Sequence, residues 1–441
     1  MTTLTVGFLL IGALILLVLL GMEIAIALFA AGFAGIWIIR ENFELAMRLL
    51  SLAAYSGVSD FLFATIPLFV LMGLIVSVSD VGKDTFQVAE TLLRRLLGGL
   101  GIATVAANTV FAAVTGVSIA SAAVFTKIAV PEMRRHGYTA GFSAGTVAGS
   151  SILGMLIPPS LLMIIYGVLA EVSIGAMFIA GIIPGILLAL GFVAAILLMA
   201  RFRPASVFTD PAHAKERRGE AETVLTIGEM TLKLVPILLL VVLVLGGLYT
   251  GFFTPTEAGG VGAFGALVIA LVRRKLDRTK MWQVLKQTGV VSVSILVLLI
   301  AAGFYSRMLA VAGIPNAIGE LVAAGGLGAW GFILLYVIIV LLMGMILDST
   351  SILLILVPIA APIAKTFGFD LIQFGVVTVL AVEIGLLTPP FGISVFTVHT
   401  TLDDADVGVE TIFLGAMPYI VVMLVTLLAV ATVPVLTLAL V

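Results

Sequence analysis

Four short stretches of this 441-residue sequence carry groups that could hold an ion inside an otherwise apolar chain. Two are diproline sites, Leu156-Ile157-Pro158-Pro159-Ser160 and Leu387-Thr388-Pro389-Pro390-Phe391. A double proline removes two backbone donors and pushes the preceding residue out of helical geometry. Helices are therefore expected to stop around Gly154–Ser160 and Gly385–Gly392, leaving bare carbonyl oxygens at that depth. The other two stretches break long apolar segments: Thr115-Gly116-Val117-Ser118 followed by Ser121, and Asp348-Ser349-Thr350-Ser351. Hydroxyls, carbonyls and at most one carboxylate suit a weakly held, hard monovalent cation, whereas a divalent site normally brings several carboxylates. Sodium is the natural candidate. The alternative is that these hydroxyls bond back to their own helices, and for Ser118 and Ser121 the sequence does not separate the two. A carboxylate such as Asp348 in a membrane segment is costly and by default functional. Glu383, about one turn before the second break, either lines the same cavity or hydrogen-bonds a neighbouring helix.

The elements that must position these groups follow from composition. The chain is 62% hydrophobic and 10% charged, against ~45–50% and ~25% in soluble domains, and its mean hydropathy is +1.30. Its solvent is lipid. A net charge of −2 and this composition exclude a nucleic-acid binder, a cytosolic enzyme and a disordered scaffold. Without cysteine there are no disulfides, thiol nucleophiles or thiolate metal sites. The sequence contains no His-Glu-x-x-His, no Gly-x-Ser-x-Gly with a partner histidine and no Walker motif. Neither an enzyme nor an organic cofactor is expected. His136, His213 and His399 share no metal-ligand spacing, and the first two read as solvated. Asp403, Asp404, Asp406 and Glu410 read as an exposed loop, and Trp37, Trp282 and Trp330 as interface anchors. Met1–Leu20 lacks a basic n-region and reads as a retained membrane helix.

Hydrophobic runs long enough for a ~30 Å core lie near 5–20, 24–39, 61–80, 138–172 and 173–200, and again near 234–250, 256–272, 286–304, 370–400 and 411–439. Residues 98–131 and 328–362 read as re-entrant helical hairpins whose legs are short for a crossing, and 83–97 and 305–325 as surface helices; Arg307 then serves as a surface anchor. Pro159 and Pro390 lie 231 positions apart, and the same shift pairs Gly154 with Gly385, Gly137 with Gly368, Pro131 with Pro362 and Ser118 with Ser349. The chain is thus expected to be an all-α polytopic protein of two five-helix repeats, 1–200 and 232–441, around a cytoplasmic linker at 201–231. Five crossings per half make the repeats inverted. With both termini outside, 18 of the 22 Lys and Arg fall on the cytoplasmic side. Matched discontinuous helices in inverted repeats are the sequence pointer to a transporter's binding site.

The runs Thr115-Gly116-Val117-Ser118, Gly154-Met155-Leu156-Ile157-Pro158-Pro159-Ser160, Gly181-Ile182-Ile183-Pro184-Gly185 and Glu383-Ile384-Gly385-Leu386-Leu387-Thr388-Pro389-Pro390 resemble the large membrane subunit of tripartite ATP-independent periplasmic (TRAP) transporters. The likeness covers nearly the whole chain, including Pro67-Leu68-Phe69 and Thr254-Pro255-Thr256-Glu257-Ala258. It implies a sodium-coupled elevator transporter of the bacterial inner membrane, working with a small four-helix membrane subunit and a periplasmic substrate-binding protein. The implied substrates are organic acids such as C4-dicarboxylates, keto acids or sialic acids. One implied sodium site combines Thr115, Gly116 and Ser118 with Gly154 and Ile157; the other combines Asp348, Ser349 and Thr350 with Gly385 and Thr388. Substrate would lie between the hairpin tips, within reach of Ser118, Ser121, Ser160, Ser349, Thr350 and Glu383. The sequence departs from symmetry where Val117 matches Asp348. With no four-helix extension before Met1, the small subunit is expected as a separate chain. The competing expectation is a stand-alone anion/sodium or anion/proton symporter of a related fold.

Overall fold

Lipid offers the backbone no hydrogen-bond partner, so a spanning chain must satisfy its amides within helices. The computed structural model describes residues 2–210, 225–326, 328–402, 404 and 407–441. Apart from one bridge between Tyr138 and Phe208, its regular structure is helical. The first half holds α1 (Thr3–Leu19), α2 (Ile24–Arg40), α3 (Phe43–Ser59), α4 (Thr65–Val78), α5 (Val81–Leu93), α6 (Gly99–Thr115) and α7 (Ser118–Arg135). It continues through α8 (Ala140–Ser151), α9 (Leu153–Leu156), α10 (Leu161–Leu169), α11 (Ile174–Ala180), α12 (Ile182–Phe202) and α13 (Pro204–Val207). The second half holds α14 (Ile227–Tyr249), α15 (Pro255–Val272), α16 (Arg278–Ala312), α17 (Ile314–Ala324), α18 (Gly328–Gly344) and α19 (Ser349–Thr366). It closes with α20 (Leu371–Gly385), α21 (Ile393–Leu402), α22 (Val409–Thr432) and α23 (Val435–Leu438).

A shift of 231 residues lays α7 on α19 and α13 on α23 end to end, and starts α20 where α8 starts. It also superposes two left-handed glycines, Gly137 (φ 80°) and Gly368 (φ 82°). Each half has its hairpin, α6–α7 and α18–α19, followed by a helix broken at the diproline. Both Pro-Pro bonds are cis. Among the described residues, seven helices are long and apolar enough to cross a membrane, or nine if two bent pairs each count as one span. Length alone includes the hairpin leg α19 and omits α1 and α2, which have 17 residues each.

Several expectations need correction. The second surface helix does not begin at 305. α16 runs unbroken for 35 residues until Gly313 takes φ 74°, so only Ile314–Ala324 can lie along the surface. Arg307 is consequently part of a long packed helix. The linker is shorter than 201–231, because a capping box between Thr226 and Glu229 starts α14 at Ile227. Its first residues also fold back, with the Thr139 amide donating to the Val207 carbonyl at 2.9 Å. The run near 173–200 does stand as one candidate span, Ile174–Phe202, with a turn at Gly181, where an added Cβ would press on the Leu156 carbonyl. His213, the Lys215-Glu216-Arg217-Arg218 run, Asp403 and Asp406 lie outside the described residues.

Two groups of helices emerge. α1 to α4 pack with α15 and α16; the hairpins pack with α8 to α10, α12 and α20 to α22. α5 lies between them, against α6 on one side and α14 on the other. The amphipathic face of α5 buries Val81, Phe86, Val88 and Ala89. Its Asp84 accepts from Lys233 at 2.5 Å and also pairs with Arg273, tying it to α14 and α15. Asp80 pairs with Lys275 at 2.7 Å, and Arg134 with Asp404 at 3.6 Å. These interhelical ion pairs all join residues that the charge bias assigns to one side of the membrane.

Small residues let backbones meet. α8 crosses α22 where Gly141 and Gly145 face Gly415, with no room for a Cβ at Gly415. Gly415→Ala is expected to overpack this crossing, at about 1–3 kcal/mol, and lower the thermal unfolding midpoint in detergent. Gly289→Ala, in open space on α16, is expected to leave it unchanged. Equal midpoints for the two variants would refute the close crossing.

Candidate functional site

The first break is built against the first hairpin tip. α6 ends at Thr115, Gly116 turns the chain with φ 62°, and α7 starts at Ser118. The Leu161 amide, just past the diproline, donates to the Gly116 carbonyl at 3.3 Å. A Cβ at Gly116 would collide with the Pro159 carbonyl, so only glycine fits. A Cβ at Gly154 would contact Val117 and the Ser118 amide at 3.4–3.5 Å. Thr115–Ser118 and Gly154–Ile157 are thus brought together. Ser160 caps α10 and its hydroxyl donates to the Met155 carbonyl at 2.5 Å, bridging the break. Thr115 bonds back to the Phe111 carbonyl at 3.0 Å.

The second tip repeats the plan with different chemistry. Asp348 caps α19: its carboxylate accepts the Thr350 and Ser351 amides at 3.1 and 3.2 Å and the Ser351 hydroxyl. The leg α18 meets the broken helix glycine to glycine, a Cβ at Gly385 falling 2.7 Å from the Gly344 Cα. Thr388 bonds back to the Ile384 carbonyl at 2.7 Å, and the Ser394 amide reaches the Leu386 carbonyl at 3.3 Å. Pro158 and Pro159 are buried, whereas Asp348, Pro389, Pro390 and Phe391 are exposed. The first break is covered and the second is open.

Both tips converge on Glu383. This residue is 1% exposed, and its Oε1 accepts the Ser349 hydroxyl at 3.3 Å. Ser118, from the opposite hairpin, lies beside the same carboxyl without forming a hydrogen bond. Ser118 Oγ and Glu383 Oε2 are buried without partners. A hydroxyl and a carboxylate oxygen left free between two hairpin tips are donors of the kind a monovalent cation takes. Of the two readings open for Glu383, the bond to Ser349 on the neighbouring helix α19 is the one the structure shows.

Other groups carry weaker signals in sequence. Asn108, in the apolar α6, accepts the Ser121 hydroxyl at 2.5 Å and donates to Ser150 at 2.6 Å. Thr146, one turn earlier on α8, bonds the Tyr419 hydroxyl of α22 at 2.6 Å. Ser121 therefore belongs to a buried bridge between the hairpin and α8. An amide in mid-hairpin was the available signal. Thr65 and Thr256 share a buried bond of 2.6 Å between α4 and α15. Arg307 is half-buried beside a cavity of about 250 Å³ bounded by α3, α10, α16 and Pro358 of α19, and donates to the Leu49 carbonyl at 3.5 Å. That replaces its expected place on a surface helix.

A family model described as "Tripartite ATP-independent periplasmic transporter, DctM component" matches residues 11–436. The C4-dicarboxylate TRAP transporter large permease protein DctM of Pseudomonas aeruginosa is 34% identical over 90% of each chain. The sialic acid TRAP transporter large permease protein SiaM of Vibrio cholerae is 28% identical over 87% of each. Among solved structures, the YdaH transporter of Alcanivorax borkumensis aligns with a TM-score of 0.54 over 86% of this chain and 87% of its own, at 15% identity. That last likeness establishes the fold alone.

Asn108→Ala strands the buried Ser121 hydroxyl, while Ser150 keeps its bond to the Thr146 carbonyl, and is expected to cost about 1–3 kcal/mol of stability. Ser118→Ala, which removes a hydroxyl without a partner, is expected to leave stability unchanged. Chemical or thermal unfolding of both variants in the same detergent checks the contrast; an equal loss in both contradicts it.

Proposed function

Because the chain belongs to the DctM-component family of tripartite ATP-independent periplasmic transporters, we propose that it carries an organic acid anion into the cell, driven by sodium. The substrate class is that of C4-dicarboxylates, keto acids and sialic acids, two of which appear in the names of its relatives. A periplasmic binding protein delivers the anion, and a small four-helix subunit completes the membrane complex. The complex sits in the bacterial inner membrane with both termini of this chain in the periplasm. The chain performs secondary transport rather than catalysis.

The observation that carries this reading is the convergence of both hairpin tips and Glu383 on one buried polar point. Two sodium sites, Thr115–Ser118 with Gly154–Ile157 and Asp348–Thr350 with Gly385–Thr388, flank it. Substrate lies between the tips. The two helix groups divide the labour: α1 to α4 with α14 to α16 form the scaffold, and the hairpins with their broken helices form the carrying unit that slides past it. α5 and α17 are then the arms joining the two. The sodium ions supply positive charge beside the anion, while Ser118, Ser349 and Glu383 set the polar surface between the tips.

Uptake into proteoliposomes containing this chain, the small subunit and the binding protein is expected to require an inward sodium gradient. Uptake by this chain alone would favour a stand-alone symporter, and indifference to sodium would remove the coupling. Asp348→Asn keeps a good helix cap but removes the charge. Its melting midpoint is expected to hold while the sodium concentration for half-maximal uptake rises several-fold; an unaltered sodium response would take Asp348 out of the site.

A further inference from the structure

Away from the hairpin tips, Glu90 on α5 and Glu132 and His136 at the end of α7 form a compact cluster. One ligand atom from each of the three lies within 4.8 Å of the others, and all three residues are half-buried. Glu132 and His136 are four residues apart and so share a helix face, and Glu90 meets them from the packed helix α5. The reading of His136 as a solvated residue is therefore corrected. Its Nδ1 lies 2.9 Å from the Glu132 backbone carbonyl and 3.3 Å from the Glu132 carboxylate. A carbonyl can only accept, so Nδ1 carries a proton. Ligation through Nε2 of the neutral ring would keep this bond, the arrangement by which proteins orient a metal-binding imidazole.

We propose that Glu90, Glu132 and His136 bind a divalent transition-metal ion of the zinc type. An imidazole with two carboxylates is a donor set that zinc accepts, and the nitrogen disfavours magnesium and calcium. Three protein ligands leave one tetrahedral position for water. The two carboxylates face each other at short range. Burial first, and Glu132 second, hold the Glu90 carboxyl above its ordinary range, while His136 and Arg94 pull it back. A bound cation removes that repulsion. Because Glu90 and the other two ligands sit on different elements, the ion would fasten the surface helix α5 to the outer leg of the first hairpin.

Isothermal titration of the purified full chain in detergent with zinc chloride tests the site. One saturable zinc site that excess magnesium does not displace is expected, with affinity reduced at least tenfold in both Glu90→Gln and His136→Gln. X-ray absorption of the zinc-loaded wild-type chain gives a readout that does not depend on how the variants fold. It is expected to show one imidazole nitrogen with oxygen neighbours. Absence of saturable zinc binding, unchanged affinity in both variants, or a zinc shell with no imidazole or with two would overturn the proposal.

Discussion

An unpaired peptide group has nowhere to turn in hydrocarbon, and the helix interruptions at the hairpin tips and the first diproline are answered by specific partners. The Gly116 carbonyl takes the Leu161 amide, the Met155 carbonyl takes the Ser160 hydroxyl, and the Asp348 carboxylate takes two amides at the start of α19. The first hairpin tip is thus bonded to the break beside it, whereas the second tip caps itself and meets its break through the Gly344–Gly385 contact of its leg. These contacts explain why glycine stands where the chains touch, at Gly116 against Pro159 and at Gly344 against Gly385.

The halves share this plan and diverge in its chemistry. The first tip is covered and its hairpin is braced by the Asn108–Ser121–Ser150 bridge. The second tip leaves Asp348 and Pro389–Phe391 exposed, and binds across to Glu383 through Ser349. Val117 stands where Asp348 stands in the repeat, so the second tip carries the carboxylate and the first carries none. Glu383 is where the asymmetry is reconciled, since Ser349 bonds to it and Ser118 lies beside it.

Much of this was legible before any coordinates. Proline and glycine act through the backbone, and their spacing predicted both breaks and the 231-residue repeat, while polar interruptions of two apolar segments predicted the hairpins. What depends on side chains meeting across the bundle was not. Ser121 could have bonded to its own helix; the structure pairs it with Asn108, which hydropathy hid inside α6. Between the apolar runs 24–39 and 61–80, Asn42 caps a full helix, α3, by accepting the Leu45 amide at 2.9 Å. Arg307 was misplaced because its charge seemed to end a span, whereas α16 continues past it to the left-handed Gly313. His136 looked solvated because its carboxylate neighbours come partly from another helix.

The central claim is that the paired tips and breaks make this chain a sodium receptor in its own right. Equilibrium binding of radioactive sodium to the purified chain, without its partners or substrate, tests it most directly. Saturable binding that weakens in Asp348→Asn and in Ser118→Ala is the predicted result. Absence of saturable binding, or binding indifferent to both substitutions, would contradict the account.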